Sequence, residues 1–117
     1  MIQRIDILGI NGTPFRAVLV PAGEPCPNHK NDCVKEDLLE FYDRRYSHTP
    51  DGQFITRYYL STLMQDHDLI ADCNMRGLDL MGKIESWKID ARTVKIVLDW
   101  ATYHTYLKPE PITYEHP

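Results

Sequence analysis

The sequence predicts an α+β fold, a small antiparallel β-sheet with an N-terminal hairpin packed with two main α-helices. Three observations carry that prediction. Two β-rich runs flank Asn11-Gly12, an apolar stripe of helical period follows Asp90, and Thr49-Pro50-Asp51 has the composition of a helix start. With 117 residues, 43% of them hydrophobic and 26% charged, the chain is expected to form one domain over residues 1–117. It is large enough for a single core and small enough for partner subunits to complete it.

The hairpin comes first. IQRIDILGI and TPFRAVLV are separated by Asn11-Gly12, which supplies the positive φ angles of a type I′ turn. Ile5 and Ile7 share one face, and Phe15, Ala17 and Leu19 form another row of the same sheet. Pro14 lacks an N–H donor and belongs at a strand start or an edge. From Pro21 to Asp37, three prolines, a glycine and many polar groups show no sustained period. A loop this long is uncommon unless it works, and it is expected to cover a ligand or dock on a neighbouring subunit. Leu38 to Tyr42 is apolar and aromatic, hence a third strand.

Thr49, Pro50 and Asp51 predict a helix from Pro50 to Gln65, since Thr caps, Pro suits the first helical position and Asp complements the dipole. Its core face is Ile55, Tyr59 and Leu63 with Leu60 and Met64, and Phe54, Arg57, Tyr58 and Ser61 lie on the flank. After a polar break from Gln65 to Asp68, Gly77 and Gly82 punctuate two short strands, Leu78 to Met81 and Ser86 to Ile89. Asp90 then caps a second helix to Tyr106, with Val94, Val97, Leu98 and Ala101 as its buried stripe, widened by Trp100 and Tyr103. Pro109 and Pro111 end it, so residues 108–117 are extended, with Ile112 and Tyr114 alternating as if packed on a second copy.

Charge and composition narrow the function. A net charge of -4 argues against wrapping duplex nucleic acid, which takes a phosphate-neutralising basic field. No apolar run reaches the roughly 20 residues of a membrane helix, and the N-terminus lacks a signal-peptide layout. A cytoplasmic protein without a membrane partner is expected, with its three cysteines, Cys26, Cys33 and Cys73, as free thiols.

Several constellations have chemical potential. Cys26, His29 and Cys33 offer zinc-ligating atoms within one loop, with Cys73, His48 or His67 as a fourth donor. Only one half of a zinc-finger pattern is visible, and loop cysteines beside a surface histidine read as well, so no metal or other cofactor is assigned. His48 and His67, with Asp43, Asp51, Asp66 and Asp68, include an acid and a base. No nucleophile elbow or phosphate-cradling glycine loop accompanies them, and helix capping explains these residues more simply, so no catalytic residue is assigned.

Arg44, Arg45 and Arg57 are better phosphate candidates because a guanidinium holds phosphate oxygens bidentately. Gln53 falls in the first turn of the expected helix, where unpaired N–H groups favour anions. The opposing reading pairs Arg44 and Arg45 with Glu40 and Asp43 on the surface. Asn74 and Arg76 precede Gly77, and Trp87 follows Gly82; Asn can read a base edge and Trp can stack on it, or Trp87 can anchor the chain to the core.

The combination FYDRRYSHTPDGQFITRYYLSTL followed by GLDLMGKIESWKI resembles the small phage-encoded Thoeris anti-defence proteins, the first family of sponges for cyclic ADP-ribose signals. The likeness spans Ile5 to Tyr106, in an outline of hairpin, central helix, glycine-bearing strand pair and C-terminal helix. It implies a non-enzymatic protein in the host bacterial cytoplasm that sequesters a cyclic nucleotide immune signal intact. Homo-oligomers are implied too, from dimers up to a hexamer, with the pocket at a subunit interface and cyclic oligonucleotides held at a separate site in some members. The matching helix places Gln53, Phe54 and Arg57 at the ligand, the glycine turns place Asn74, Arg76 and Trp87 there, and Arg45 completes the set. The rival expectation is an anti-CRISPR or other protein-binding inhibitor, for which 17 acidic against 13 basic residues speak, although the acids are scattered rather than arrayed in a stripe.

Overall fold

The computed structural model describes residues 1–29 and 34–107 and shows an α+β architecture. Four antiparallel strands, β1 (Gln3–Leu8), β2 (Pro14–Val20), β3 (Leu38–Asp43) and β4 (Gln53–Tyr59), lie side by side in chain order. Four helices follow: α1 (Leu60–Leu63), α2 (His67–Met75), α3 (Leu80–Glu85) and α4 (Ala91–Leu107).

The expected hairpin forms because Asn11 and Gly12 adopt φ of 64° and 73°, which lets Gly9 N–H donate to Thr13 O at 2.8 Å. Ile5 then faces Ala17 and Ile7 faces Phe15 across the ladder, as the alternation predicts. Along α4, Asp90 accepts from Thr93 N at 2.9 Å and from its hydroxyl at 2.7 Å, while Val94, Val97, Leu98 and Ala101 are buried. Tyr103 does not widen that stripe; it is 55% exposed.

Two expectations fail. The segment 50–65 is not one helix, because Thr49 and Gly52 exchange backbone bonds at 3.1 and 3.0 Å and Gly52 takes φ 120°. A Cβ at position 52 would sit 2.5 Å from the Asp43 carbonyl oxygen, so this tight turn folds residues 53–59 back on β3 as a strand, leaving only α1 helical. The Thr49 hydroxyl does accept from Asp51 N, at 3.1 Å, but it closes a turn rather than opening a helix. Nor are Leu78–Met81 and Ser86–Ile89 strands. Asp79 accepts from Gly82 N at 3.1 Å and Ser86 Oγ donates to Gly82 O at 2.7 Å, and these two contacts bound α3. The preceding polar break starts α2, whose cap Asp66 accepts from Leu69 N at 2.9 Å.

Both sheet faces are covered. One carries Ala17, Leu19, Leu39 and Phe41 under Leu60, Leu63, Leu69, Ile84, Val94 and Val97 from the helices. The other carries Val18, Val20, Leu38 and Tyr42 under Cys26 and Val34 from the segment between β2 and β3. That segment is tied down by Gly23 N to Val34 O at 2.7 Å and Val34 N to Glu24 O at 3.1 Å. The expected extended tail, with Ile112 and Tyr114, and Cys33 lie outside the described residues.

Candidate functional site

The loop-covered face buries ionisable groups. Glu40 is fully buried in the middle of β3, where its Oε1 accepts from the Tyr42 hydroxyl at 2.9 Å. Cys26 Sγ lies 3.8 and 3.7 Å from the two carboxylate oxygens. His29 Nε2 stands 3.4 Å from Oε2; it is itself buried and makes no hydrogen bond. The Phe54 ring meets both the His29 and Tyr42 rings edge-on, at 5.4 and 5.7 Å between centroids. Cys26, His29 and Glu40 together bring one thiol, one imidazole and one carboxylate within 4.8 Å of one another.

Burial pushes the Glu40 carboxyl above its ordinary range, against the opposing pull of Tyr42, His29 and Arg57. Burial, then the neighbouring Glu40 charge, raises the Cys26 thiol and the Tyr42 phenol as well. A thiol held protonated is a poor nucleophile. Without a cation to displace its proton, the Cys26 thiol therefore suits hydrogen bonding better than nucleophilic attack.

A second buried acid sits beside it. Asp51 accepts from Arg4 Nε at 2.8 Å, Arg16 Nη1 at 3.1 Å and Asn28 Nδ2 at 2.9 Å. Burial works to raise this carboxyl, but the Arg4, Asn28 and Arg16 donors prevail and hold it at about 2. Asn28 belongs to the same loop as Cys26 and His29, so the network fastens the loop to Asp51 and, through it, to Arg4 of β1 and Arg16 of β2.

On the helical side, a cleft of about 420 Å³ opens between the end of the sheet and α4. Phe15, Phe41, Ile55, Leu98 and Ala101 give it an apolar floor, and Asn11, Thr13, Thr56, Thr102, Asp43 and Arg45 a polar rim. Asp43 braces Arg45 through Nε and Nη2, at 3.1 and 2.8 Å, and the guanidinium lies 5.5 Å over the Tyr46 ring. Arg45 holds the Asp43 carboxyl below its usual range. A volume of a few hundred Å³ lies within the range of small-molecule sites.

The seven expected ligand residues do not converge within one protomer. Arg45 lines the cleft. Gln53 starts β4 opposite Asp43, and Arg57 lies opposite Glu40 in the same strand; neither sits on the helix from which its role was inferred. Phe54 packs into the cluster under the loop. Asn74 is exposed near the end of α2, Arg76 pairs with Asp72 and Asp99 at 3.1 and 3.8 Å, and Trp87 packs on the helical core. Phe54 and Trp87 thus stand on opposite faces of the sheet. Cys73 is equally distant in kind: it is buried in the helical core and takes no part in the Cys26 cluster. Of the arginine pairings, Arg45 with Asp43 is present, whereas Arg44 donates to Pro50 O at 3.1 Å.

Models of known families, curated proteins and solved structures were compared with the chain, and none matches. Glu40 and Asp51 were missed as site residues. A signal existed for the first: a glutamate inside the apolar run LLEFY, where both neighbours point to one core and the acid must point to another.

Proposed function

We propose that the protein is a non-catalytic binding protein that captures a small anionic, nucleotide-like ligand, with cyclic ADP-ribose signals as the foremost candidates. The observation that carries this reading is the cleft whose half-buried Phe15 and Ile55 form an apolar floor, with Arg45 on its rim. Aromatic and aliphatic side chains offer a base a surface to lie on, and the threonines and Asn11 offer hydrogen bonds to sugar hydroxyls. Arg45 is already oriented by contacts that include Asp43 and Tyr46, so a phosphate meets a guanidinium held in place instead of ordering a loose side chain. The ligand carries two phosphates, and among the described residues the cleft lining includes one guanidinium, that of Arg45; a second copy of the chain is the proposed source of the other cation. An uncompensated charge withdrawn from water costs several kcal/mol. Sequestration works by mass action alone and asks for affinity and abundance, with no acid, base or nucleophile.

The test is retention followed by release. Protein incubated with cyclic ADP-ribose isomers, freed of unbound ligand and then heat-denatured is expected to return the molecule intact. Cleaved products would make it an enzyme, and an empty protein would favour the protein-binding inhibitor. Arg45→Ala is expected to weaken retention at least tenfold, about 1.4 kcal/mol, with the melting temperature little changed. Retention that survives this substitution removes the cleft from the proposal.

A further inference from the structure

We propose that Cys26, His29 and Glu40 form a binding site for zinc or another borderline divalent ion, with the Cys26 thiolate, His29 Nε2 and Glu40 Oε2 as ligands. Three observations meet here. The first is metrical. Zinc bonds of about 2.0 Å to nitrogen and oxygen and about 2.3 Å to sulfur, at tetrahedral angles, separate nitrogen from oxygen by about 3.3 Å and sulfur from oxygen by about 3.5 Å. The corresponding distances here are 3.4 Å from His29 Nε2 to Glu40 Oε2 and 3.7 Å from Cys26 Sγ to the same oxygen. Two edges of the coordination polyhedron are therefore already in place, and the sulfur–nitrogen edge is no longer than 4.8 Å.

The second observation is that His29 Nε2, though buried and close to a carboxylate, makes no hydrogen bond. A proton on that nitrogen would be expected to aim at the acid. A buried ring nitrogen with no hydrogen bond, close to a thiol and a carboxylate, has a lone pair to give to an ion. The third is the hydrogen bond from Tyr42 to Oε1 at 2.9 Å. It occupies one carboxylate oxygen and leaves the other facing sulfur and nitrogen, the outer-sphere arrangement that orients a metal-bound carboxylate.

Charge balance agrees. A dication with one thiolate, one carboxylate and one neutral imidazole is neutral, whereas Glu40 alone is a buried charge. Three protein donors leave a fourth tetrahedral position for water. Because two ligands come from the loop and one from β3, the ion pins the loop to the sheet.

Chelator-stripped full-length protein titrated with zinc against a chromophoric competitor is expected to bind one ion per chain. With cobalt in place of zinc, a thiolate-to-metal absorption band should appear in the near ultraviolet. Cys26→Ser is expected to abolish that band and lower affinity at least a hundredfold, while Cys73→Ser keeps both. Glu40→Gln, which preserves shape and a partner for Tyr42, is expected to lower affinity at least tenfold with unchanged circular dichroism. The proposal is overturned if folded wild-type protein takes up no stoichiometric ion, if Cys26→Ser retains the band, or if Cys73→Ser removes it.

Discussion

The two faces of the sheet are covered by different material, and they differ in what they bury. Under the helices, the packed cluster is apolar, and among the described residues the buried polar ones on that side are Thr93 of α4 and Asp43 at the cleft. A helix satisfies its own backbone internally, so it can lie on a sheet with apolar contacts alone. Under the loop, the same sheet buries Glu40 and Asp51 with Tyr42, Cys26 and neighbouring Asn28 and His29. Irregular chain brings few ladder bonds, so side-chain donors and acceptors fasten it, and ionisable groups become part of the structural cement. One face is held mainly by apolar area and the other by apolar area and a buried charge network together.

That contrast can be broken most severely at Phe41, fully buried on the helical face. Phe41→Ala is expected to cost about 3–5 kcal/mol in urea denaturation. A loss under about 1 kcal/mol would show that the helical layer is not where stability resides.

Asp51→Asn probes the other face. Because the folded carboxyl is held at about 2 against an ordinary 3.8, its contribution is present above the ordinary carboxyl range and fades as pH falls towards 2. The variant is expected to be about 2 kcal/mol less stable than wild type at pH 7, with the gap narrowing through pH 4 and nearly closed at pH 2. A gap independent of pH would remove the charge network from the account.

Tyr42→Phe is the mildest of the three. Losing the hydroxyl that meets Glu40 at 2.9 Å should cost about 1 kcal/mol, since Cys26 Sγ still faces the same oxygen at 3.8 Å. The near-ultraviolet circular dichroism should otherwise be preserved. A neutral result would mean that Glu40 needs no help from this phenol.

Legibility in the sequence follows from how local each signal is. The hairpin was readable because Asn11-Gly12 fixes its own turn, and α4 because Val94, Val97, Leu98 and Ala101 recur at helical spacing behind an acidic cap. β4 was misread because the pairing slips between Phe41 and Tyr42. Phe41 faces Thr56 and Tyr42 faces Phe54, so Ile55 is an extra residue that spoils the period of two and lets Ile55, Tyr59 and Leu63 imitate a helical repeat. Gly82 looked like a break between strands because its role inside α3 is a close approach: a Cβ there would meet Asp79 Oδ2 at 2.4 Å. The cluster of Cys26, His29 and Glu40 joins positions 14 residues apart, and nothing local to either segment announces the meeting. The cleft is less local still, drawing on the hairpin, two further strands and α4.

The strand order has a consequence for assembly. Each strand pairs with the one made just before it, so no late segment has to thread between two partners already joined. The sheet can grow outward from the hairpin as the chain leaves the ribosome, closing its largest gap between Val20 and Leu38 at a modest entropic cost. The helical layer, encoded afterwards, then arrives at a platform already built.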